Sequence, residues 1–234
     1  MKTNVSNSNP APSAESSPKS RVFLVDDHPI TRQGLVALIN REPNLIVCGE
    51  ADSAPVAIDM IQKLTPDIAL VDVTLKTTSG IELMKHLKAL LPEMPVLMMS
   101  MHDESLFAER ALRAGAKGYI MKLEPSATIL AAIRRILSGE LYLSEKMKEK
   151  MLHRLVKTGG TEVVYSIDTL SDREMEVFQL IGNGYGTRQI ATRLNLSVKT
   201  IDSYREHLKL KLRLDGGTEL VRHAIQWVKS EGIA

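Results

Sequence analysis

Short apolar runs recur along residues 21–140 of this chain. They are VFLV at 22–25, LIVCG at 45–49, IALV at 68–71, VLMM at 96–99 and GYIM at 118–121. Each run has the length of a β-strand and is flanked by turn or breaker residues, and the segments between the runs carry apolar residues at helical spacing. Strands that are apolar along their whole length predict a parallel sheet covered on both faces. We therefore predict an α/β domain with a doubly wound, five-stranded parallel sheet.

After Gly139 the strand pattern stops and helical spacing takes over. The segment SEKMKEKMLHRLVKTGG is typical of a charged helix, and four helices are predicted from Leu170 onward. Their segments are SDREMEVFQLI, TRQIATRL, VKTIDSYREHLKLKL and TELVRHAIQWV. Ser171 and Glu174 form a capping-box pattern at the start of the first segment, and Ser197 is the candidate N-cap of the third. These patterns predict a small all-α domain.

The two patterns divide the 234 residues into four parts, as a chain of this length suggests. Residues 1–20 are rich in Ser, Asn and Pro, so we predict a disordered tail that buries too little apolar surface to offset its ordering entropy. Residues 21–140 form the α/β domain, residues 141–165 the linker and residues 166–234 the helical domain.

Composition narrows the class of protein. The net charge of +2 is too small to predict a partner by itself. The single cysteine, Cys48, excludes an internal disulfide, and its strand-like surroundings indicate a buried, inert thiol. No apolar run reaches the ~18 residues that span a membrane, and the first residues lack the apolar segment of a secretory signal. We expect a soluble, cytoplasmic protein with no membrane partner.

Polar side chains stand at the carboxyl ends of the predicted strands, the edge where open parallel sheets bind ligands. The set consists of Asp26, Asp27, Asp72, Ser100 and Lys122, with Tyr119 three residues before Lys122. Three carboxylates close together repel one another unless a cation lies among them, and Mg²⁺ prefers oxygen ligands. Asp72 is then placed to attack a phosphorus atom and form an acyl phosphate, whose oxygens Lys122 and Ser100 would stabilise.

The segments VFLVDDHPITRQGL, IALVDVTLKTTSGIEL, LMMSMHDE and GAKGYIMK resemble the receiver domain of bacterial response regulators in order and spacing. The resemblance covers about residues 21–140 and implies a flavodoxin-like fold. It implies that Asp72 is the phosphoacceptor, which takes a phosphoryl group from a sensor histidine kinase. The implied Mg²⁺ ligands are Asp26, Asp27, Asp72 and the backbone carbonyl of Thr74. The implied switch pair is Ser100 and Tyr119, and Lys122 would bind the phosphoryl group.

Two positions of the receiver-like region need separate interpretation. Lys76 stands where the family usually has proline in the loop after the phosphoacceptor. Lysine restores the mobility that proline removes and adds a charge, so Lys76 is either a solvated loop residue or one that alters the lifetime of the phosphoryl group. His28 matches the family's common DDHP motif, and we interpret it as a loop-packing residue rather than a catalytic one.

A phosphatase resembling the haloacid dehalogenases is the competing interpretation of an aspartyl phosphate on a doubly wound sheet. Those enzymes need a second aspartate two residues after the nucleophile as general acid and base, and this chain has Thr74 there. Residues 21–140 also offer no capping insertion for a substrate. We therefore predict no enzyme, only acceptance of a phosphoryl group on Asp72 and at most slow autodephosphorylation.

The helical region fits helix–turn–helix geometry. TRQIATRL is the predicted positioning helix, NLS the turn, and Val198 to Leu212 the recognition helix. From Tyr185 to Leu214, seven Lys or Arg residues accompany two acidic residues, a local charge of +5. Such a patch suits phosphate contacts, so we predict binding to double-stranded DNA with an affinity that falls as salt rises.

The motifs LSDRE and IATRLNLSVKT resemble the LuxR-type helix–turn–helix of the NarL/FixJ response regulators over about residues 166–230. The resemblance implies DNA-backbone contacts from Lys199, Thr200, Tyr204 and Lys209. It implies base-edge contacts from Asp202, Ser203 and Glu206, and Arg205 completes the predicted DNA-binding set. Carboxylates can accept a hydrogen bond from cytosine N4; alternatively, Asp202 and Glu206 are simply exposed. Tyr204 replaces a common histidine, which leaves the operator sequence open.

Together the two regions predict a two-component transcriptional regulator whose DNA binding is controlled by phosphorylation of Asp72. In the inactive state, we expect the recognition helix to be occluded through the linker. Helix–turn–helix proteins usually read paired half-sites, so we expect a homodimer when the chain is phosphorylated. The last helix, with Trp227, supplies either a dimer surface or core packing only. Two other classes stay open: a phosphorylation-independent helix–turn–helix regulator with a relic receiver, and a receiver that acts through protein partners alone.

Overall fold

A computed structural model describes residues 18–75, 78–101, 104–149, 152 and 167–231 of the chain. Lys76, most of the predicted tail and much of the predicted linker lie outside these ranges. The first part of the chain runs in the order β1 (Ser20–Val25), α1 (Pro29–Asn40), β2 (Leu45–Ala51), α2 (Ala54–Leu64), β3 (Ile68–Asp72), α3 (Gly80–Leu90), β4 (Val96–Ser100), α4 (Glu104–Arg113), β5 (Gly118–Met121) and α5 (Ser126–Leu137). Each predicted apolar run is therefore a strand.

The five strands form one sheet in the order β2-β1-β3-β4-β5, and every neighbouring pair is parallel. The order reverses at β1, because β2 lies on one side of it and β3 on the other. All five residues of β3 are buried, as are all five of β4, since helices cover both faces of the sheet. The predicted doubly wound α/β fold is confirmed.

The two faces of the sheet have separate apolar cores. On one face, Leu24 and Leu70 pack with Ile39 of α1 and Ile133 of α5. On the other face, alternate strand residues such as Val71 pack with residues of α2, α3 and α4. This second cluster continues into the helical domain, whose core residues belong to it as well. The helical domain therefore packs against the α3–α4 side of the sheet.

The helical domain begins with a 3₁₀ turn, Ile167–Thr169, and continues with α6 (Asp172–Gly182), α7 (Thr187–Leu194), α8 (Val198–Leu212) and α9 (Gly217–Glu231). The capping box is present: the Glu174 amide donates to Ser171 Oγ, and the Ser171 amide donates to Glu174 Oε2. Ser197 Oγ accepts from the Thr200 amide at 3.0 Å, as predicted for the N-cap of α8. The left-handed Asn195 ends α7, so these residues place α7 and α8 as a helix–turn–helix.

The last helix packs on its own domain. Leu220, Ala224 and Val228 of α9 are buried. The Trp227 ring lies 5.5 Å from the Phe178 ring, measured between centroids, in a tilted arrangement. Of the two interpretations of this helix, core packing accounts for these side chains in the single chain.

Candidate acidic site and nucleic-acid interface

The polar residues predicted at the strand ends lie together at one edge of the sheet. Asp26 and Asp27 directly follow β1, while Asp72 ends β3. Ser100 ends β4, and Lys122 directly follows β5. The edge lies at the point where the strand order reverses between β1 and β3, which is the usual ligand site of such sheets.

Lys122 joins two of the carboxylates. Its Nζ lies 2.6 Å from Asp72 Oδ2 and 2.7 Å from Asp26 Oδ2. All three side chains are almost fully buried, so water screens these contacts very little. The ammonium group is therefore the charge that offsets the repulsion between the two buried acids.

The other oxygen of Asp72 is bonded to the loop that follows. The Thr74 amide donates to Asp72 Oδ1 at 3.1 Å, and Thr74 forms an isolated antiparallel bridge with Ser79. Both oxygens of Asp72 thus have a donor, one from a side chain and one from the backbone. The ligand role expected for the Thr74 carbonyl stays a prediction.

His28 belongs to the acidic site rather than to loop packing. Its side chain is 60% exposed, and its Nδ1 lies 2.8 Å from Asp27 Oδ1. The same nitrogen lies 3.3 Å from Asp26 Oδ1 and 3.8 Å from Asp72 Oδ2. Our interpretation of His28 as a loop-packing residue was wrong in this respect, because the DDHP turn directs the ring toward the carboxylates.

Burial governs the proton affinity of Asp72. It raises the pKa of this carboxyl group from the usual 3.8 to about 6. The nearby Lys122 ammonium lowers the pKa, Asp26 raises it, and the Thr74 amide lowers it, but the effect of burial outweighs the rest. A carboxyl group perturbed in this way beside a specific charge is typical of a functional site.

The site fits a divalent cation. Asp26, Asp27, His28 and Asp72 each offer one ligand atom, and these atoms all lie within 4.8 Å of one another. Asp26 Oδ2 and Asp27 Oδ1 are buried, and the groups that approach them are Lys122 Nζ at 2.7 Å and His28 Nδ1 at 2.8 Å. Buried carboxylate oxygens this close together are costly unless positive charge neutralises them, and Mg²⁺ takes such oxygens.

Both predicted switch residues are buried on the two strands at one side of the sheet. Ser100 is fully buried and Tyr119 is 1% exposed. The strands that carry them are paired, with Met98 of β4 opposite Tyr119 and Ser100 opposite Met121 of β5. Movement of either side chain therefore requires repacking near the carboxyl end of the sheet.

Sequence reasoning missed Arg32. Its Nη1 donates to the Asp26 carbonyl at 2.6 Å, and its Nε lies 3.1 Å from Glu50 Oε2. Arg32 lies in the first turn of α1, close after the two aspartates. The sequence feature that could have indicated Arg32 was the position of an arginine one helical turn after the two aspartates that follow the first strand.

The recognition helix, α8, is accessible along its predicted DNA face. Lys199, Asp202, Ser203 and Glu206 are exposed, and Thr200, Tyr204, Arg205 and Lys209 are half-buried. No contact between α8 and the α/β domain occurs among the hydrogen bonds and ion pairs of the described residues. The expected occlusion of the recognition helix runs through the linker, and residues 153–165 of that linker lie outside the described ranges, so it stays a prediction.

Three basic residues of the patch are engaged within the domain. Lys211 Nζ lies 2.6 Å from Glu174 Oε2, and Lys209 Nζ lies 2.8 Å from Glu206 Oε2. Arg193 stacks on the Tyr185 ring at 4.1 Å and also donates to the Tyr185 hydroxyl. The patch that is free to meet phosphates is thus smaller than the residue count alone indicates.

No helix within the described ranges is both long enough and apolar enough to cross a membrane.

Known proteins match both parts of the chain. Residues 22–134 match the response regulator receiver domain, and residues 168–224 match the luxR family of bacterial regulatory proteins. The chain is 31% identical over 210 residues to the oxygen regulatory protein NreC of Staphylococcus aureus. That match covers 88% of this chain and 97% of NreC.

Solved structures agree with this relationship. A LuxR-family two-component response regulator from Aurantimonas sp. SI85-9A1 has 37% sequence identity and a TM-score of 0.56, and the match covers 59% of this chain and 99% of that chain. RcsB from Salmonella enterica serovar Typhimurium, solved bound to the promoter rprA in the presence of the phosphomimetic BeF3−, has a TM-score of 0.55 at 24% identity. The match to RcsB covers 88% of this chain and 98% of that chain, and it shows similarity of fold.

The relationship to NreC runs through both domains in the same order, and the receiver-like sheet precedes the helix–turn–helix here as well. This chain therefore belongs to the NarL/FixJ family of two-component response regulators.

Proposed function

We propose that Asp72 accepts a phosphoryl group from a sensor histidine kinase and that this modification controls DNA binding and transcription. The observation that carries the proposal is the contact of Lys122 Nζ with both Asp72 and Asp26, at 2.6 and 2.7 Å. It places one ammonium group beside a buried carboxylate whose pKa is raised to about 6. These features support a nucleophile with a cation ready to receive the charge of a phosphoryl group.

In the proposed reaction, one oxygen of Asp72 attacks the phosphorus atom of a phosphohistidine. The new O–P bond forms as the P–N bond breaks, and the electron pair stays on the imidazole, which takes a proton from solvent. The product is an acyl phosphate on Asp72. Lys122 and the Ser100 hydroxyl then donate hydrogen bonds to the phosphoryl oxygens.

Asp26, Asp27, Asp72 and the Thr74 carbonyl are the proposed ligands of Mg²⁺. When it is bound, Mg²⁺ supplies positive charge that neutralises the phosphoryl oxygens. Ser100 and Tyr119 are the proposed switch pair, because both are polar side chains buried on the strands β4 and β5. Their rearrangement would shift the equilibrium between inactive and active conformations.

The proposed output is DNA binding by α8 as a homodimer. Its N-terminal residues would enter the major groove, with Lys199, Thr200, Tyr204, Arg205 and Lys209 on phosphates and Asp202, Ser203 and Glu206 near base edges. We propose the same division of the chain as before, with a tail at residues 1–20, a receiver at 21–140, a linker at 141–165 and a DNA-binding domain at 166–234.

The decisive experiment compares DNA binding with and without acetyl phosphate plus Mg²⁺. Wild type, Asp72→Asn and Asp59→Asn are tested by fluorescence anisotropy on DNA selected from a random pool. Asp59 is the matched control, because it is exposed and pairs only with Lys63 at 2.7 Å among its described ion pairs. We expect acetyl phosphate to tighten binding for wild type and Asp59→Asn and to leave Asp72→Asn unchanged.

A response to acetyl phosphate that persists in Asp72→Asn contradicts the proposed switch. Tight binding without any response, in all three proteins, favours the alternative of a phosphorylation-independent regulator with a relic receiver.

A further inference from the structure

The exposed side of the recognition helix α8 carries three polar side chains in its first half. Asp202, Ser203 and Glu206 are exposed, and Glu206 follows the other two at helical spacing, so all three share one side of the helix. Ile201 and Leu208 are fully buried on the other side, within the core of the domain. We call Asp202, Ser203 and Glu206 the acceptor triplet.

The acceptor triplet has no proton to offer a partner outside the helix. The Ser203 hydroxyl donates to the Lys199 carbonyl at 3.1 Å. This bond uses the one proton of the hydroxyl group, so only lone pairs of Ser203 Oγ remain for another partner. The ionised carboxylates of Asp202 and Glu206 accept hydrogen bonds but do not donate them. A ligand of this surface therefore has to supply the donors.

The major groove of DNA presents few donors to such a surface. They are the N4 amino group of cytosine and the N6 amino group of adenine, whereas guanine and thymine present acceptors there. In adenine, the acceptor N7 lies beside the amino group and repels the second oxygen of a carboxylate. Cytosine presents its amino group without a neighbouring acceptor. Cytosine is therefore the base that the acceptor triplet fits best.

Neighbouring cations allow the two carboxylates to approach DNA. Lys209 Nζ lies 2.8 Å from Glu206 Oε2, and the Glu206 side chain is still 65% exposed, so the ion pair orients this side chain without enclosing it. Lys199 is exposed one helical turn before Asp202. Positive charges at these positions offset the repulsion between the carboxylates and the DNA phosphates.

The spacing of the two carboxylates matches the spacing of base pairs. Asp202 and Glu206 are one helical turn apart, which is roughly 6 Å along the helix axis. Successive base pairs of DNA are about 3.4 Å apart. A recognition helix lies in the major groove with its N-terminal residues on the base edges. The two carboxylates thus reach base pairs that are adjacent or separated by one pair.

We propose that Asp202 and Glu206 determine the sequence specificity of α8, and that each accepts a hydrogen bond from the N4 amino group of a cytosine. The two cytosines are adjacent or one base pair apart in each half-site, and Ser203 supplies a third acceptor beside them. This inference rests on the proposed function of α8 as a DNA-binding helix and names the bases that the helix reads.

The test uses the full chain, treated with acetyl phosphate and Mg²⁺, to select DNA from a random pool. Fluorescence anisotropy then compares every single-base variant of the selected site. We expect wild type to select two such cytosines, and replacement of either should weaken binding roughly 5- to 100-fold. Asparagine and glutamine pair with N6 and N7 of adenine, so Asp202→Asn should change the preferred base from cytosine to adenine at one position and Glu206→Gln at the other.

Asp215→Asn is the matched control, because it removes the same charge at an exposed position of the same domain, after the end of α8. It should keep the wild-type base preference at every position. Removal of a negative charge near phosphates strengthens binding to all sequences alike, so the comparison of base preferences separates base reading from general electrostatics. Unchanged preferences in both Asp202→Asn and Glu206→Gln overturn the inference.

A modified base gives a second readout without any change in the protein. N4-methylcytosine keeps the proton that pairs with guanine and replaces the groove-facing proton with a methyl group. At either preferred cytosine it should weaken wild-type binding roughly fivefold or more. The same modification at a cytosine placed outside the half-sites should have no effect. Equal affinity for DNA modified at the preferred and at the outside position contradicts the proposed hydrogen bonds.

The outcomes separate this inference from the proposed function. Absence of DNA binding in wild type, or equal affinity for selected and random DNA, rejects the proposed function of α8 and the inference with it. Sequence-specific binding with the same base preferences in wild type, Asp202→Asn and Glu206→Gln rejects only the reading of cytosine by the acceptor triplet.

Discussion

At the scale of single residues, Asp72 is both the proposed reactive group and a cost to stability. Burial raises the pKa of this carboxyl group to about 6, despite the Lys122 ammonium beside it. The folded chain therefore binds this proton more tightly than the unfolded chain, in which the pKa is close to 3.8. The contribution of Asp72 to the free energy of unfolding is therefore highest at pH values below the pKa of this group in the unfolded chain. It is lost as pH rises toward 6.

Asp72→Asn should accordingly stabilise the protein at pH 7 in metal-free buffer, by about 1–3 kcal/mol. Urea unfolding of wild type and variant measures the difference. The difference in free energy of unfolding between Asp72→Asn and wild type should widen as pH rises from about 4 to about 6 and then level off. Added Mg²⁺ should narrow it, because the cation stabilises the ionised carboxylates of the wild type.

Asp59→Asn is the control for this prediction, since Asp59 is 62% exposed and should change stability by less than about 0.5 kcal/mol. A variant at position 72 that is less stable than wild type at pH 7 would show that the ion pair with Lys122 outweighs burial.

At the scale of elements, the junction between β3 and α3 is packed too closely for any side chain. A Cβ atom on Gly80 would lie 1.8 Å from the Asp72 carbonyl oxygen. The Gly80 amide also donates to the Val73 carbonyl at 2.8 Å. The start of α3 is thereby brought directly against the strand end that carries the proposed phosphoacceptor.

Gly80→Ala should lower the free energy of unfolding by about 2–4 kcal/mol and slow phosphorylation, because the backbone at Asp72 has to move. Gly34→Ala is the matched control: Gly34 lies inside α1, and a Cβ there meets nothing within 4 Å. It should stabilise the chain by about 0.5–1 kcal/mol. Thermal unfolding of both variants checks that Gly80→Ala destabilises the chain and Gly34→Ala stabilises it. Equal effects of the two substitutions would contradict the close packing of Gly80 against Asp72.

Two lysines of α8 should separate DNA contact from domain stability. Lys199 is exposed, whereas Lys211 is bonded to the buried Glu174. Lys199→Ala should reduce the slope of log affinity against log salt by about 1 and leave stability unchanged. Lys211→Ala should cost about 1 kcal/mol or more of stability and leave the slope nearly unchanged. A smaller salt slope for Lys211→Ala, with an unchanged slope for Lys199→Ala, would show instead that Lys211 contacts the DNA.

At the scale of the whole molecule, the two domains share one apolar cluster and one arginine anchor. The cluster runs from Val71 and Phe107 in the receiver to Phe178 in the helical domain. Arg110 satisfies two carbonyls that precede α6. The domains should therefore unfold cooperatively, and their association should depend strongly on this one side chain.

Arg110→Gln should weaken the interface by about 1–3 kcal/mol, since two partly buried carbonyls lose their donor. Differential scanning calorimetry should then show two separated transitions in place of one. Arg113→Gln changes the same residue type one turn later on α4, where the side chain is 70% exposed and pairs with Glu109, so it should behave as wild type. One unchanged transition in Arg110→Gln would show that the apolar cluster alone couples the domains.

Local sequence patterns were sufficient to predict the strands, the helices and most of the acidic site. The five apolar runs became strands, and the segments TRQIATRL and VKTIDSYREHLKLKL became α7 and α8 with the predicted bounds. They could be predicted because periodicity and capping depend on residues within a turn or two of one another. The meeting of Asp26, Asp72 and Lys122 followed from one further rule, that parallel strands end at a common edge.

The contacts of Arg110 and Arg173 had no such local signal. Arg173 and Leu75 are 98 positions apart, and their hydrogen bond exists only because the helical domain packs on the α3–α4 side of the sheet. The sequence by itself thus determined which chemical groups stand at the strand ends and on the recognition helix. Only the tertiary structure decided that the DNA-binding domain bonds to the phosphoacceptor loop, because the relative placement of two domains depends on long-range packing and not on periodicity.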